Sequence, residues 1–217
     1  MVEPAEMPVG SATAKSAVQQ SDHASSIPQP RSSSTMQQRQ PSLLQRYLHW
    51  EEGLTLAANL LSRQTWVRRF FSAISRLGNG WGWAALLFLL LWLDGRRAIS
   101  PILWMIVTTF IGTGLYWSIK RLAARPRPSE HCHRIVLSEP PLDQFSFPSG
   151  HTLHAVNFTL QILFFAPILG WIAVPFALLI AASRLILGLH YLSDVLVGAV
   201  LGMLLATFAL ALRISVM

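Results

Sequence analysis

Five apolar blocks of near-bilayer length follow Gly80, at about 81–93, 101–119, 152–169, 171–189 and 192–212. This pattern constrains the fold more than any other feature of the chain. In hydrocarbon every backbone N–H and C=O needs a partner within the protein, and about twenty helical residues cross the ~30 Å core. The blocks therefore predict an all-α, polytopic transmembrane helix bundle with five strong spans. The first block is short unless its flanking glycines and Asp94 sit in the interface.

Composition agrees with this reading. Of 217 residues, 52% are hydrophobic and only 12% are charged, against about 25% charged in an average soluble domain. Trp81, Trp83, Trp92, Trp104, Trp117 and Trp171 fall near block ends, where amphipathic rings anchor a helix at the membrane surface. The net charge of +7 is spread along the chain and matches no nucleic-acid-binding module, so no nucleic-acid partner is expected. The single Cys132 excludes an intrachain disulfide.

Two segments precede the blocks. Residues 1–41 are rich in Ser, Gln, Pro and Ala and bury too little apolar surface to offset chain entropy, which predicts a disordered polar tail. Residues 42–217 form the membrane-embedded domain. Its start, from Leu43 to about Leu77, is helical and amphipathic, with Arg63, Arg68, Arg69 and Arg76 interrupting the later part. It is read as helices lying in the interface or as a short, tilted first span.

If the spans alternate in direction, residues 120–151 and 189–192 emerge on one membrane face. Residues 94–100 and the 169–170 turn emerge on the other. That places three polar motifs at one surface. Arg96, Arg97 and Arg213 lie on the opposite side, which argues that the motif face is not cytoplasmic. The basic residues between Arg31 and Arg69 argue the other way if the amphipathic region does not cross.

The last motif is Ser183 to Asp194, SRLILGLHYLSD. His190 and Asp194 stand four residues apart and share a face if a helix begins there. A carboxylate beside one ring nitrogen orients the imidazole and stabilises its cation, leaving the other nitrogen free to attack an electrophile. Arg184, near the end of an apolar block, either snorkels to the interface or binds an anion.

The middle motif is Phe147 to His151, FPSGH. Pro148 and Gly150 permit a turn, Ser149 suits a helix N-cap, and the exposed amides attract anions. His151 stands where it can donate a proton to a leaving oxygen. In the first motif, Lys120 to Pro128 (KRLAARPRP), Pro126 and Pro128 disfavour continued helix. Lys120 and Arg127 can then neutralise a phosphoryl group, while Arg121 and Arg125 are read as interfacial basic residues.

Taken together, Lys120 with Arg127-Pro128, Pro148-Ser149-Gly150-His151, and Ser183-Arg184 with His190 and Asp194 resemble the tripartite signature of the type 2 phosphatidic acid phosphatase superfamily. The resemblance covers about residues 50–212. It implies an integral membrane phosphatase acting on a lipid phosphate or diphosphate through a phosphohistidine. By that likeness His190 is the nucleophile, Asp194 orients it, and His151 protonates the leaving group and later activates water. Lys120, Arg127 and Arg184 bind phosphate, assisted by Ser149 and the Gly150 amide. The family implies metal-independent hydrolysis, so no metal or cofactor is expected. It also implies a bacterial inner membrane with the site facing the periplasm. Its soluble haloperoxidase branch fits poorly with so many spans.

Outside the signature, His131, Cys132 and His133 match no usual zinc spacing. His154, one turn from His151, is read as a polar helix contact. Glu130, Glu139 and Asp143 are assigned to a solvated loop that covers or selects substrate. Transfer to an alcohol acceptor, and lipid-phosphate binding without catalysis, remain alternatives to hydrolysis. Nothing in the motifs specifies an oligomeric state.

Overall fold

The computed structural model describes residues 42–216; the predicted tail, residues 1–41, lies outside them. Eight α-helices follow in order: α1 Leu43–Leu60, α2 Thr65–Arg76, α3 Gly82–Asp94, α4 Ile99–Ala123, α5 Pro128–His131, α6 Gly150–Phe165, α7 Gly170–Ile186 and α8 Leu192–Val216. Among the described residues there is no strand.

The five blocks appear as α3, α4, α6, α7 and α8. Three helical stretches are long and apolar enough to cross a membrane: residues 65–131, which run through α2 to α5, then 167–186 and 192–215. The expected five separate spans are not resolved by length. The 13 residues of α3 and the 16 of α6 fall short of the twenty or so a full crossing takes, because each residue adds only about 1.5 Å. The predicted 152–169 helix ends at Ala166, whose backbone leaves the helical region just before Pro167. The amphipathic segment divides into α1 and α2 at the extended Gln64.

Polarity is arranged as a bilayer demands. Phe88, Trp92, Phe110, Leu178 and Phe208 are exposed on the outer surface, facing the medium that lipid would supply. The interior holds polar residues that bond across helices. Gln161 Nε2 donates to Thr108 Oγ1 at 2.9 Å, and Asn157 Nδ2 donates to the same oxygen at 3.2 Å. This is an integral membrane protein.

Trp83 departs from its expected anchoring role. It is buried and stacks on Phe158 with centroids 5.1 Å apart, because it occupies the inward face of α3 rather than the helix rim. Trp81, Trp92 and Trp171 do stand exposed near helix ends.

Close packing of α6 on α8 fixes the motif end of the bundle. A methyl group on Gly198 would sit 2.5 Å from the Ser149 carbonyl oxygen. Only a residue without a side chain lets α8 approach the α6 N-terminus this closely. The Ser149 N–H donates to the Asp194 carbonyl at 3.0 Å, which stitches the second motif to the third.

Candidate active site

All three motifs meet at one end of the bundle. Lys120 lies in the last turn of α4, Gly150 and His151 open α6, Arg184 lies in the last turn of α7, and Asp194 lies in the first turn of α8. A cavity of about 400 Å³ between them is lined by Lys120, Arg127, Gly150, His151, Arg184 and His190, among others. Ser149 and Asp194 are not among the residues that line it.

Local backbone chemistry brings the first motif back over this cavity. Ala124, at φ 44°, ends α4 in the left-handed conformation, and its N–H caps the Lys120 carbonyl. The two prolines then keep the chain extended, with Arg127 at φ −79° and ψ 156°. The Arg127 guanidinium is buried and donates to the Leu189 carbonyl at 2.6 Å and to Asp143 Oδ1 at 2.8 Å. Lys120 Nζ lies 2.8 Å from each oxygen of the same Asp143 carboxylate.

Arg184 is buried and donates to the hydroxyls of Ser75 and Ser183. Among the described residues no carboxylate lies within ion-pair distance of it. A buried guanidinium in a membrane protein normally has an anionic partner, so this one is free for an anion in the cavity.

The expected N-cap is present: Ser149 Oγ accepts from the Thr152 N–H and lies 3.0 Å from Thr152 Oγ1. Its hydroxyl is therefore committed to α6, and of the expected Ser149–Gly150 pair only Gly150 lines the cavity.

His190 is buried, with Nδ1 3.7 Å from Asp194 Oδ2, close but beyond hydrogen-bond length. That Asp194 oxygen accepts instead from the Tyr191 N–H at 2.9 Å. Burial pushes His190 down to about 4; Arg127 and Arg184 act in the same direction, and Asp194 opposes them. The ring is thus uncharged at neutral pH, with a lone pair available. His151 Nε2 lies 2.5 Å from Asn79 Oδ1. His154 makes its helix contact through Nε2, 3.2 Å from Thr113 Oγ1 on α4.

Two expectations require correction. Asp143 and Glu139 are not simply part of a solvated loop: the Asp143 carboxylate bridges Lys120 and Arg127, and Glu139 is buried, lines the cavity and pairs with Arg76 at 2.9 Å. Arg125 is not merely interfacial: Nη1 reaches Asp194 Oδ1 at 2.7 Å and Nη2 reaches Glu51 Oε2 at 2.8 Å. Arg121, by contrast, lies over the Trp117 ring. Ser75, Asn79 and Glu51 carried no local signal; a carboxylate beside Glu52 reads the same whether it faces water or protein. Among the described residues no group of three His, Cys, Asp or Glu side chains is placed to hold a metal ion.

Fold and site together define an all-helical integral membrane protein with a cationic, histidine-bearing cavity at one end. The chain belongs to the PAP2 superfamily, whose family model matches residues 98–215. It is 33% identical over 134 residues to a Bacillus subtilis protein named undecaprenyl-diphosphatase BcrC, an alignment covering 59% of this chain and 69% of that one. Its fold is similar to that of a transmembrane PAP2-type phosphatidylglycerolphosphate phosphatase from Bacillus subtilis, with TM-score 0.62 and 25% identity, covering 79% of this chain and 88% of the other. It is also similar to Aquifex aeolicus LpxE, with TM-score 0.63 and 27% identity, covering 73% and 93% of the two chains.

Proposed function

We propose that this protein is a membrane phosphatase that removes the terminal phosphate of a lipid diphosphate or monophosphate, with His190 as nucleophile. The observation that carries this reading is the single cavity into which Lys120, Arg127, Arg184, His151 and His190 converge from separate chain segments. Polyprenyl diphosphate is the favoured substrate class, following the name of the Bacillus subtilis relative. The headgroup enters the cavity while the apolar tail stays among the exposed hydrophobic side chains or in the bilayer.

In the first step the free His190 nitrogen attacks phosphorus, and the bond from phosphorus to the lipid oxygen breaks. Burial and then the nearby Arg184 disfavour a charged His151. The negative charge of the bound phosphate offsets this, so that His151 takes up a proton with the substrate and gives it to the lipid oxygen. Lys120, Arg127 and Arg184 hold the non-bridging oxygens as charge redistributes. Asp194 balances the positive charge that appears on His190. In the second step water attacks the phosphohistidine, His151 takes the water proton, and inorganic phosphate leaves with both imidazoles restored. The site faces the periplasm of a bacterial inner membrane; Arg96, Arg97 and Arg213 at the opposite helix ends favour that orientation.

The test is phosphate release by the purified full chain from undecaprenyl diphosphate, phosphatidylglycerol phosphate and phosphatidic acid, with and without His190→Ala. Release by wild type, its loss in the variant, and an acid-labile labelled intermediate on His190 are expected. Equal release by a folded His190→Ala protein overturns the nucleophile assignment. Label that passes to an added lipid alcohol, rather than to water, converts the reading to phosphotransfer. Tight binding of all three lipids without release leaves only a binding protein.

A further inference from the structure

Glu51 lies on α1, outside the segment that matches the family, yet it is only 1% exposed. A buried carboxylate is retained only where partners compensate its lost hydration. Both of its oxygens are engaged. Oε1 accepts from the Ser193 backbone N–H at 2.7 Å, and Oε2 accepts from Arg125 Nη2 at 2.8 Å. The other terminal nitrogen of Arg125 donates to Asp194 Oδ1 and to Ser193 Oγ, each at 2.7 Å. The guanidinium also rests over the Tyr191 ring, 4.0 Å from its centroid. A chain of contacts therefore runs from α1 through Arg125 to the carboxylate that faces His190.

The charge count gives this chain its meaning. Arg125 paired with Asp194 alone would make a neutral unit, with little attraction for a cation forming on His190. Glu51 shares the guanidinium, so the three side chains carry a net charge of about −1. That surplus charge is available when attack on phosphorus makes the imidazole positive. The same contacts hold the Ser193–Asp194 backbone at the start of α8, which sets where the carboxylate stands.

We propose that Glu51 is a positioning residue for the reaction, acting through Arg125 to set the effective charge that Asp194 presents to His190. The inference rests on the proposed function, since it needs His190 to become cationic. A second consequence is that the amphipathic N-terminal helix belongs to the working site and is more than a membrane anchor. Asn59 on the same helix supports this view: it donates to the Val136 and Ile186 carbonyls and accepts from the Val136 N–H.

The experiment compares wild type, Glu51→Gln and the double variant Glu51→Gln/Arg125→Gln on undecaprenyl diphosphate in detergent micelles, with inorganic phosphate as competing anion. Glu51→Gln should lower kcat roughly 100-fold, leaving KM and inhibition by phosphate within about threefold, because Lys120, Arg127 and Arg184 are untouched. Removing Arg125 as well restores the net charge of −1, so the double variant should regain at least about tenfold of that loss. A Glu51→Gln kcat within about threefold of wild type overturns the proposal, as does a double variant no faster than the single one. If Glu51→Gln does not fold, the double variant decides alone: kcat within about tenfold of wild type supports the proposal, and a greater loss overturns it. An active wild type and an inactive His190→Ala uphold the proposed function whatever the Glu51 variants do, so the two readings fail separately.

Discussion

The Asp143 carboxylate grips the Lys120 ammonium with both oxygens at 2.8 Å, and one of those oxygens also accepts from Arg127. Of the four cations that line the cavity, Lys120 and Arg127 are thereby engaged by Asp143, and Arg76 pairs with Glu139 at 2.9 Å. Asp143 is partly exposed, whereas Lys120 and Arg127 are buried, so under the proposed function its carboxylate competes with a phosphoryl group for both cations.

Asp143→Asn should therefore tighten anion binding. Loss of the competing charge is expected to lower both KM for the lipid and the inhibition constant for inorganic phosphate by about tenfold, the effect of one charge-assisted hydrogen bond. Steady-state assays with phosphate as inhibitor measure it. Unchanged constants would mean that substrate leaves the Lys120–Asp143 pair intact.

Arg184→Lys keeps the charge but loses the planar fork that reaches Ser75 and the cavity at once. A fall in kcat/KM of roughly 100-fold is expected, the scale of two charge-assisted bonds. Restored turnover with any monodentate cation at this position would contradict bidentate binding.

His190 supplies a pH signature. Its pKa is about 4 in the folded protein and about 6.5 in an unfolded chain. Between these values the unfolded state binds more protons, so stability falls as pH drops from 6.5 toward 4. Melting in detergent at pH 7, 5.5 and 4.5 should show a steeper loss for wild type than for His190→Gln. Parallel curves would place the imidazole in a wetter setting.

Gly198→Ala puts a methyl group against the Ser149 carbonyl at 2.5 Å, and backbone cannot swing away as a side chain can. Overpacking of this kind costs about 1–3 kcal/mol. A melting temperature lower by several degrees, together with reduced kcat from displacement of Asp194, is expected. Gly114→Ala, where no atom lies within 4 Å of the added carbon, is the matched control.

The helical architecture was legible because it follows from local rules. Apolar runs predict helices, Pro126 and Pro128 predict the extended return after α4, and the Ser149 cap predicts the start of α6. Lys120, Arg127, His151, Arg184 and His190 line one cavity, whereas the alternation of five spans from which their grouping was expected is not resolved by helix length. Arg125 was misread for a definite reason: in sequence it sits among other interfacial cations, and its partners Glu51 and Asp194 lie 74 and 69 residues away.

Sequence alone thus determined that the chain after Gly80 folds into apolar helices and which residue types stand at their ends, since periodicity and backbone satisfaction act over a turn or two of helix. Tertiary structure decided which charges neutralise one another. That depends on how α1, the 124–149 loop and the α7–α8 turn fold back together, and a buried ion pair is chosen by distances of a few ångströms that no local pattern encodes.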